Sequence, residues 1–310
     1  MTFSLKILLS AAAVFSMVNT APREETITLP GDRLFPEGIA ASSDGRIFVG
    51  SFIDGTIIET NRSGETSIFA EAGENGLVSV VGLMVDEKAN LLYACSSDPG
   101  VANLTGTATP AVSVFDLTTS EPVARYELPG GGFCNDMTQT PDGSIYITDS
   151  FNPRVLKLDP SKGAISVWLE DELFTGEGFN LNGIAYQNGA LYTVKYNSGQ
   201  LFKINFDGNG SAGLIEVLET SRQLQNPDGL IASSWNELLV VEGSGQVSTI
   251  CVKDHFGEVN SVSEKLNVPT SVALLNGLGY VVQSQFDHLF NPEVAKTAPD
   301  AFSIQVINVK

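Results

Sequence analysis

The chain has 310 residues, 43% of them hydrophobic, with 30 glycines and 14 prolines, which reads as globular and rich in turns. Its 36 acidic side chains against 17 basic ones give a formal net charge of -19. Such a surface excludes nucleic acid and anionic membrane as partners and attracts cations.

The N-terminus reads as a secretory signal. Lys6 supplies a short basic start, residues 7–18 form an apolar run, and Asn19, Thr20 and Ala21 precede the charged Arg23, Glu24 and Glu25. The run is too short to anchor the chain permanently in a bilayer. Residues 1–21 are therefore expected to be removed on export, leaving 22–310 as one secreted or periplasmic domain, by default a monomer.

Downstream, one pattern recurs from end to end. Phe35-Pro36-Glu37-Gly38-Ile39-Ala40 returns as Val80-Val81-Gly82-Leu83-Met84, Cys134-Asn135-Asp136-Met137, Leu181-Asn182-Gly183-Ile184-Ala185, Asn226-Pro227-Asp228-Gly229-Leu230 and Pro269-Thr270-Ser271-Val272-Ala273. Aligned on the residue before the Gly-like position, the register is Glu37, Val81, Asn135, Asn182, Asp228 and Thr270, with steps of 44, 54, 47, 46 and 42 residues. Each copy opens an apolar strand. A period in the forties with several short strands per copy predicts an all-β chain, a six-bladed β-propeller with four-stranded antiparallel blades.

In chain order, residues 25–29 suit a strand that closes the ring against the last blade, since open ends leave a sticky edge. The first blade runs through 38–41, 46–51, 56–60 and 66–70, with Asp44-Gly45 and Asp54-Gly55 as hairpin signals. The second uses 91–95 and then carries an insertion at 96–110, rich in Gly, Ala, Thr and Pro, that explains the long step and reads as a surface loop within reach of a rim. The third uses Asp142-Gly143, 144–149, 154–159 and 165–169. The fourth follows with 190–195, 200–206 and 212–218, turning tightly at Asp207-Gly208, and the fifth with 237–242 and 246–252. The sixth takes 279–284 and 302–309, separated by a long connection at 287–300. No helix of any length is required.

Cys95, Cys134 and Cys251 are an odd number without metal-type spacing, so at most one disulfide forms. Their apolar settings read as small buried hydrophobes. Asn61, Asn103 and Asn209 match the glycosylation acceptor pattern.

The chemistry lies in the repeat register. The first strand of each blade lines the central channel, so Glu37, Asn135, Asn182 and Asp228 converge on the axis at one level. Two carboxylates and two amides in one pocket are costly to desolvate without a compensating charge. A hard divalent cation supplies it, and a mixed carboxylate and amide ring suits calcium, whereas zinc prefers His or Cys. His255 and His288 both lie outside the register. Lys195, Glu242 and Asp149 fall near the ends of second strands at matching positions, where they either line the channel mouth or stand as strand-end charges.

Pro36-Glu37-Gly38, Asn135-Asp136, Asn182-Gly183 and Pro227-Asp228-Gly229, in this order and spacing, resemble the regucalcin and gluconolactonase family of six-bladed propellers over essentially the whole mature chain. The resemblance implies a divalent metal held by Glu37, Asn182 and Asp228, calcium or another such as zinc, magnesium or manganese. It further implies Asn135 on the substrate side and hydrolysis of a lactone or related ester with Asp228 as general base; Lys195 and Glu242, by their strand-end positions, are further candidates for substrate contact. The residues themselves do not choose between Asp228 and Glu37 as base. One departure stands out: family lactonases acting on sugar acids tend to carry an Arg before the Asn-Asp pair, where this chain has Gly132-Phe133-Cys134. That predicts a less polar pocket. Two other readings share the fold: a propeller that binds calcium or a ligand without turnover, and a strictosidine-synthase-like enzyme that uses Glu242 without metal.

Overall fold

The computed structural model describes residues 25–234 and 236–309; the predicted signal lies outside them. The chain opens with β1 (Glu25–Thr28) and then lays down strands in fours. The first set is β2 (Pro36–Ala41), β3 (Ile47–Ser51), β4 (Ile57–Thr60) and β5 (Thr66–Ala70); the second is β6 (Ser79–Asp86), β7 (Leu91–Ser97), β8 (Ala111–Asp116) and β9 (Pro122–Glu127). The third is β10 (Cys134–Gln139), β11 (Ile145–Asp149), β12 (Arg154–Asp159) and β13 (Ala164–Glu170). There follow β14 (Leu181–Gln187), β15 (Ala190–Lys195), β16 (Gln200–Phe206) and β17 (Ala212–Thr220), then β18 (Pro227–Ser234), β19 (Glu237–Glu242), β20 (Gln246–Lys253) and β21 (Phe256–Glu264). The chain ends with β22 (Pro269–Leu275), β23 (Leu278–Gln283), the short helix α1 (Asp287–Phe290) and β24 (Ser303–Asn308).

These strands form four four-stranded sheets and one of eight strands. The large sheet is two antiparallel runs, β14 to β17 and β18 to β21, joined where β17 meets β21 in parallel at Glu219–Phe256 and Thr220–Gly257. The expected closing strand is present: β1 pairs with β24, Glu25 opposite Val306 and Thr28 opposite Ser303. The second strand of each set is buried on nearly every residue and the third in part, while the fourth alternates or is largely exposed, as in Val123, Val167 and Leu214. The apolar core therefore lies between the sets.

The turns follow local chemistry. Asp142 accepts hydrogen bonds from the Thr140 hydroxyl at 2.6 Å and the Ser144 amide at 3.1 Å, and Gly143 takes the left-handed φ of 87° that the turn requires. At the turn expected on Asp207-Gly208, Gly210 has the left-handed backbone instead, with Asp207 accepting from the amides of Asn209 and Ser211. The insertion after β7 does not reach the central cavity. Asp98 folds it on itself by accepting from the amides of Gly100 and Gly106 and the Thr105 hydroxyl.

Cys95 on β7 and Cys134 on β10 form a disulfide, with Cα atoms 5.2 Å apart, so two of the three cysteines are more than small hydrophobes. Cys251 is exposed, because it follows the buried run of β20 on its solvent face. The bond spans 39 residues. Loop-closure entropy for that length gives roughly 4 kcal/mol. Reduction is expected to lower the denaturant midpoint accordingly, measured with and without reductant.

Candidate functional site

The six first strands β2, β6, β10, β14, β18 and β22 neighbour one another in a closed cycle. Each breaks register with its second strand at the same place: between Pro36 and Ile39, Val80 and Leu83, Cys134 and Met137, Leu181 and Ile184, Pro227 and Leu230, and Pro269 and Val272. A bulge leaves residues unpaired and re-aims their side chains. Here it frees the pairs that begin with Glu37, Val81, Asn135, Asn182, Asp228 and Thr270.

The second residue of four of these pairs is glycine, for a reason of space. A Cβ on Gly38 would lie 1.9 Å from the Val81 carbonyl oxygen, and one on Gly183 would lie 2.3 Å from that of Asp228. The missing side chain lets each inner strand approach the next. The Thr270 hydroxyl donates to the Glu37 carbonyl at 2.8 Å and ties the last inner strand to the first.

Glu37, Asn135, Asn182 and Asp228 are all buried and all line one cavity of about 280 Å³. The sequence-predicted ring is thus brought together, with Val81 completing its wall. Burial, then the charges of Asp228 and Asp136, push the Glu37 carboxyl well above the usual carboxylate range. Burial and the Asp136 charge push Asp228 up in the same way, while the Asn182 amide pulls it down. Glu37 Oε2 and Asp228 Oδ1 are buried without a hydrogen-bond partner.

Two unpartnered carboxylate oxygens facing one cavity are what a hard cation would satisfy, and the Asn182 and Asn135 amides add neutral oxygens. Among the described residues no group of three or more His, Cys, Asp or Glu is placed to hold a metal, so any such site must draw on amides. His255 pairs with Glu216 on the surface and His288 bonds the Thr297 carbonyl; neither lines the cavity.

Lys195 and Glu242 do not join this group. Lys195 donates to the carbonyls of Leu173 and Thr175, at 3.1 and 2.5 Å. Glu242 is fully buried and accepts from Arg222 at 2.6 and 2.9 Å, from Ser248 and from the Gln225 amide. Asp149 likewise accepts from the Phe133 amide at 2.8 Å and from Arg154 at 2.9 Å. All three tie the end of a second strand to the segment entering an inner strand, a role that strand-end position alone does not distinguish from a channel-lining one. The metal-free reading built on Glu242 fails with this, since the Glu242 carboxylate is taken up by Arg222, Ser248 and Gln225 and does not line the cavity. Glu242 is buried, but Arg222 keeps about a third of its side chain in solvent, so Glu242→Ala is expected to destabilise the fold by less than a fully buried pair would cost, about 2–3 kcal/mol in a denaturant titration.

Several site residues carry no repeat signature. Asp136 stands where four repeats have glycine, its carboxylate accepting from the amides of Met137 at 2.8 Å and Ile184 at 3.2 Å. Burial raises it to about 7 against those two bonds. It lines a separate cavity of about 340 Å³, bordered by later residues of the inner strands such as Ile39 and Leu83. Tyr196 and Asp287 line the first cavity; burial, then Asp228 and Asp287, push the Tyr196 phenol to about 12. The wall above is aromatic. Phe52, Phe286 and Phe290 cluster with centroids 4.6 to 6.3 Å apart, and Phe133 meets Phe179 at 5.2 Å. The signal available was local: Phe52 and Tyr196 each directly follow a second strand, and Phe133 directly precedes an inner one.

Solved structures share this arrangement. A gluconolactonase from Xanthomonas campestris aligns over 91% of this chain and 89% of its own, with TM-score 0.66 and 15% identity. Regucalcin from Agrobacterium tumefaciens, described as a calcium-binding protein, aligns over 90% and 93% with TM-score 0.66 and 14% identity. This chain has the β-propeller fold of those proteins. Virginiamycin B lyase from Staphylococcus aureus also shares it, over 93% and 99%, at TM-score 0.58 and 15% identity. No protein-family model matches the sequence, and no curated protein matches it.

Proposed function

We propose that this is a six-bladed propeller that hydrolyses a lactone or related ester with the help of a divalent cation. The blade count is supported by the closed cycle of six inner strands and by the two antiparallel runs of four within the eight-stranded sheet. The reaction is supported chiefly by one observation: Glu37 and Asp228 each present a buried, unpartnered oxygen to the same cavity.

Glu37, Asn182 and Asp228 would hold the cation, calcium by preference, since no His or Cys lines the cavity. When bound, such an ion polarises an ester carbonyl and stabilises the negative charge that develops on its oxygen. The chain's own residues do the rest. Asn135 stands at the same level with an amide able to orient the carbonyl end. Asp228 accepts the proton of the attacking water as its oxygen bonds to the carbonyl carbon. The ring C–O bond then breaks, the leaving alkoxide takes back the proton that Asp228 accepted, and the product is the open hydroxy acid. Assigning the base to Asp228 over Glu37 follows the resemblance to gluconolactonases.

A calcium-holding propeller without turnover uses the same donors, and the description of the regucalcin neighbour favours it. Hydrolysis of simple lactones after EDTA treatment and calcium readdition, with Asp228→Ala beside the wild type, separates the two. Loss of calcium binding without any lactone turnover by the wild type would leave only the binding reading.

We further propose an exported monomer with residues 1–21 as its signal and 22–310 as one domain. The Cys95–Cys134 disulfide supports an oxidising compartment.

A further inference from the structure

Resting on the lactonase reading, we infer that the substrate is a lactone bearing an apolar chain or aromatic substituent and not a polyhydroxylated or anionic one. The polar groups of the cavity belong to the inner-strand floor or are acidic and phenolic: Glu37, Asn135, Asn182, Asp228, Asp287 and Tyr196. Among the described residues no Lys or Arg lines it, and the one lysine nearby in sequence register, Lys195, is committed to two backbone carbonyls. Hydroxyl groups along a sugar ring would lose water and find phenylalanine faces. With Glu37 and Asp228 given to the cation, a carboxylate or phosphate on the substituent would meet phenylalanine faces and Asp287, with no lining Lys or Arg among the described residues to pair with it.

The five rings come from separate loops at the end where the inner strands begin. Phe52 follows β3, Phe133 precedes β10, Phe179 lies ahead of β14, and Phe286 and Phe290 come with α1. Phe290 stays 50% exposed, although it meets Phe52 and Phe286. Phe151, also 50% exposed, stacks beyond Phe133 and Phe179 at 4.8 and 5.3 Å. The apolar wall therefore continues from the floor to solvent on both sides. A volume of about 280 Å³ equals that of about nine liquid waters, room for a lactone ring and a short substituent. The carbonyl end goes to the polar floor and the substituent to the rings.

The test uses the calcium-loaded protein with unsubstituted δ-valerolactone, δ-lactones carrying methyl to hexyl chains, and glucono-1,5-lactone. Matched alkyl lactams, which resist hydrolysis, report binding by calorimetry. Each added methylene is expected to raise kcat/KM by about fourfold until the cavity is filled. Phe290→Ala is expected to flatten that gain and Phe290→Leu to restore most of it. Turnover that shows no chain-length gain, or that favours the sugar lactone, overturns the inference and leaves the hydrolase reading intact. Lactam affinity that rises with chain length and falls in Phe290→Ala, with no lactone hydrolysed, supports the apolar pocket and removes the hydrolase. Absence of both trends overturns it outright.

Discussion

Asp228→Ala is expected to abolish the stabilisation of the protein by calcium and to lower lactone turnover by about a thousandfold, the scale associated with removing a general base. The calcium effect is large enough to read directly. At a hundredfold excess over its dissociation constant an ion that binds only the folded state adds about 2.7 kcal/mol, which moves the melting temperature of a domain this size by on the order of 5 °C. The substitution is not expected to damage the metal-free fold, because it removes one of the coupled buried carboxylates that repel each other. Thermal melts of both proteins with EDTA and with calcium, beside an assay on one lactone, give all three results. A mutant that still shifts with calcium would detach Asp228 from the ion.

The second large effect is on pH. Glu37, Asp136 and Asp228 all have folded-state carboxyls raised above their unfolded values, Asp136 from 3.8 to about 7. Without metal the folded state therefore holds protons that the unfolded chain releases. The contribution to stability is complete below about pH 4 and is lost as the pH rises through 7. Metal-free protein is expected to be more stable at pH 5 than at pH 7.5, by a few kcal/mol in order of magnitude. Calcium should narrow or reverse that difference, since it favours the ionised carboxylates. Urea titrations at the two pH values, with EDTA or calcium, measure it. A metal-free protein more stable at pH 7.5 would contradict the placement of these carboxylates. Asp136→Asn should reduce the pH dependence, because the amide carries no titrating charge, at the cost of one of the two backbone hydrogen bonds from Met137 and Ile184, since an amide has a single accepting oxygen.

The ring of Glu37, Asn135, Asn182 and Asp228 was legible because the chain repeats its geometry as well as its residues. A bulge at one point in every inner strand turns sequence register into spatial level, so residues roughly 45 apart arrive side by side. Lys195 and Glu242 repeat just as regularly, yet they face the loops that enter the inner strands. Their partners, Arg222 and the carbonyls of Leu173 and Thr175, come from irregular segments with no period to read. The aromatic wall was hidden for the same reason, since its rings come from connections of unequal length. Asp136 lies within the repeat beside Asn135, and nothing in the sequence sets it apart. Only the close approach of Gly82, whose Cβ would lie 2.8 Å from the Asp136 carboxylate, reveals that it fills a gap that four other repeats keep empty with glycine.

The pairing of β1 with β24 fixes an order of events. The first strand of the described chain has no partner until the last has been synthesised, some 280 residues later, as in the bond from Thr26 to Gln305. Contacts so distant in sequence are slow to form, and they cannot form during synthesis. The ring must therefore remain unlatched on the ribosome, with its final sheet waiting for both ends of the chain. For the exported protein proposed above, that delay is an advantage: the step that would lock the fold shut is the one step that a partly made chain cannot take.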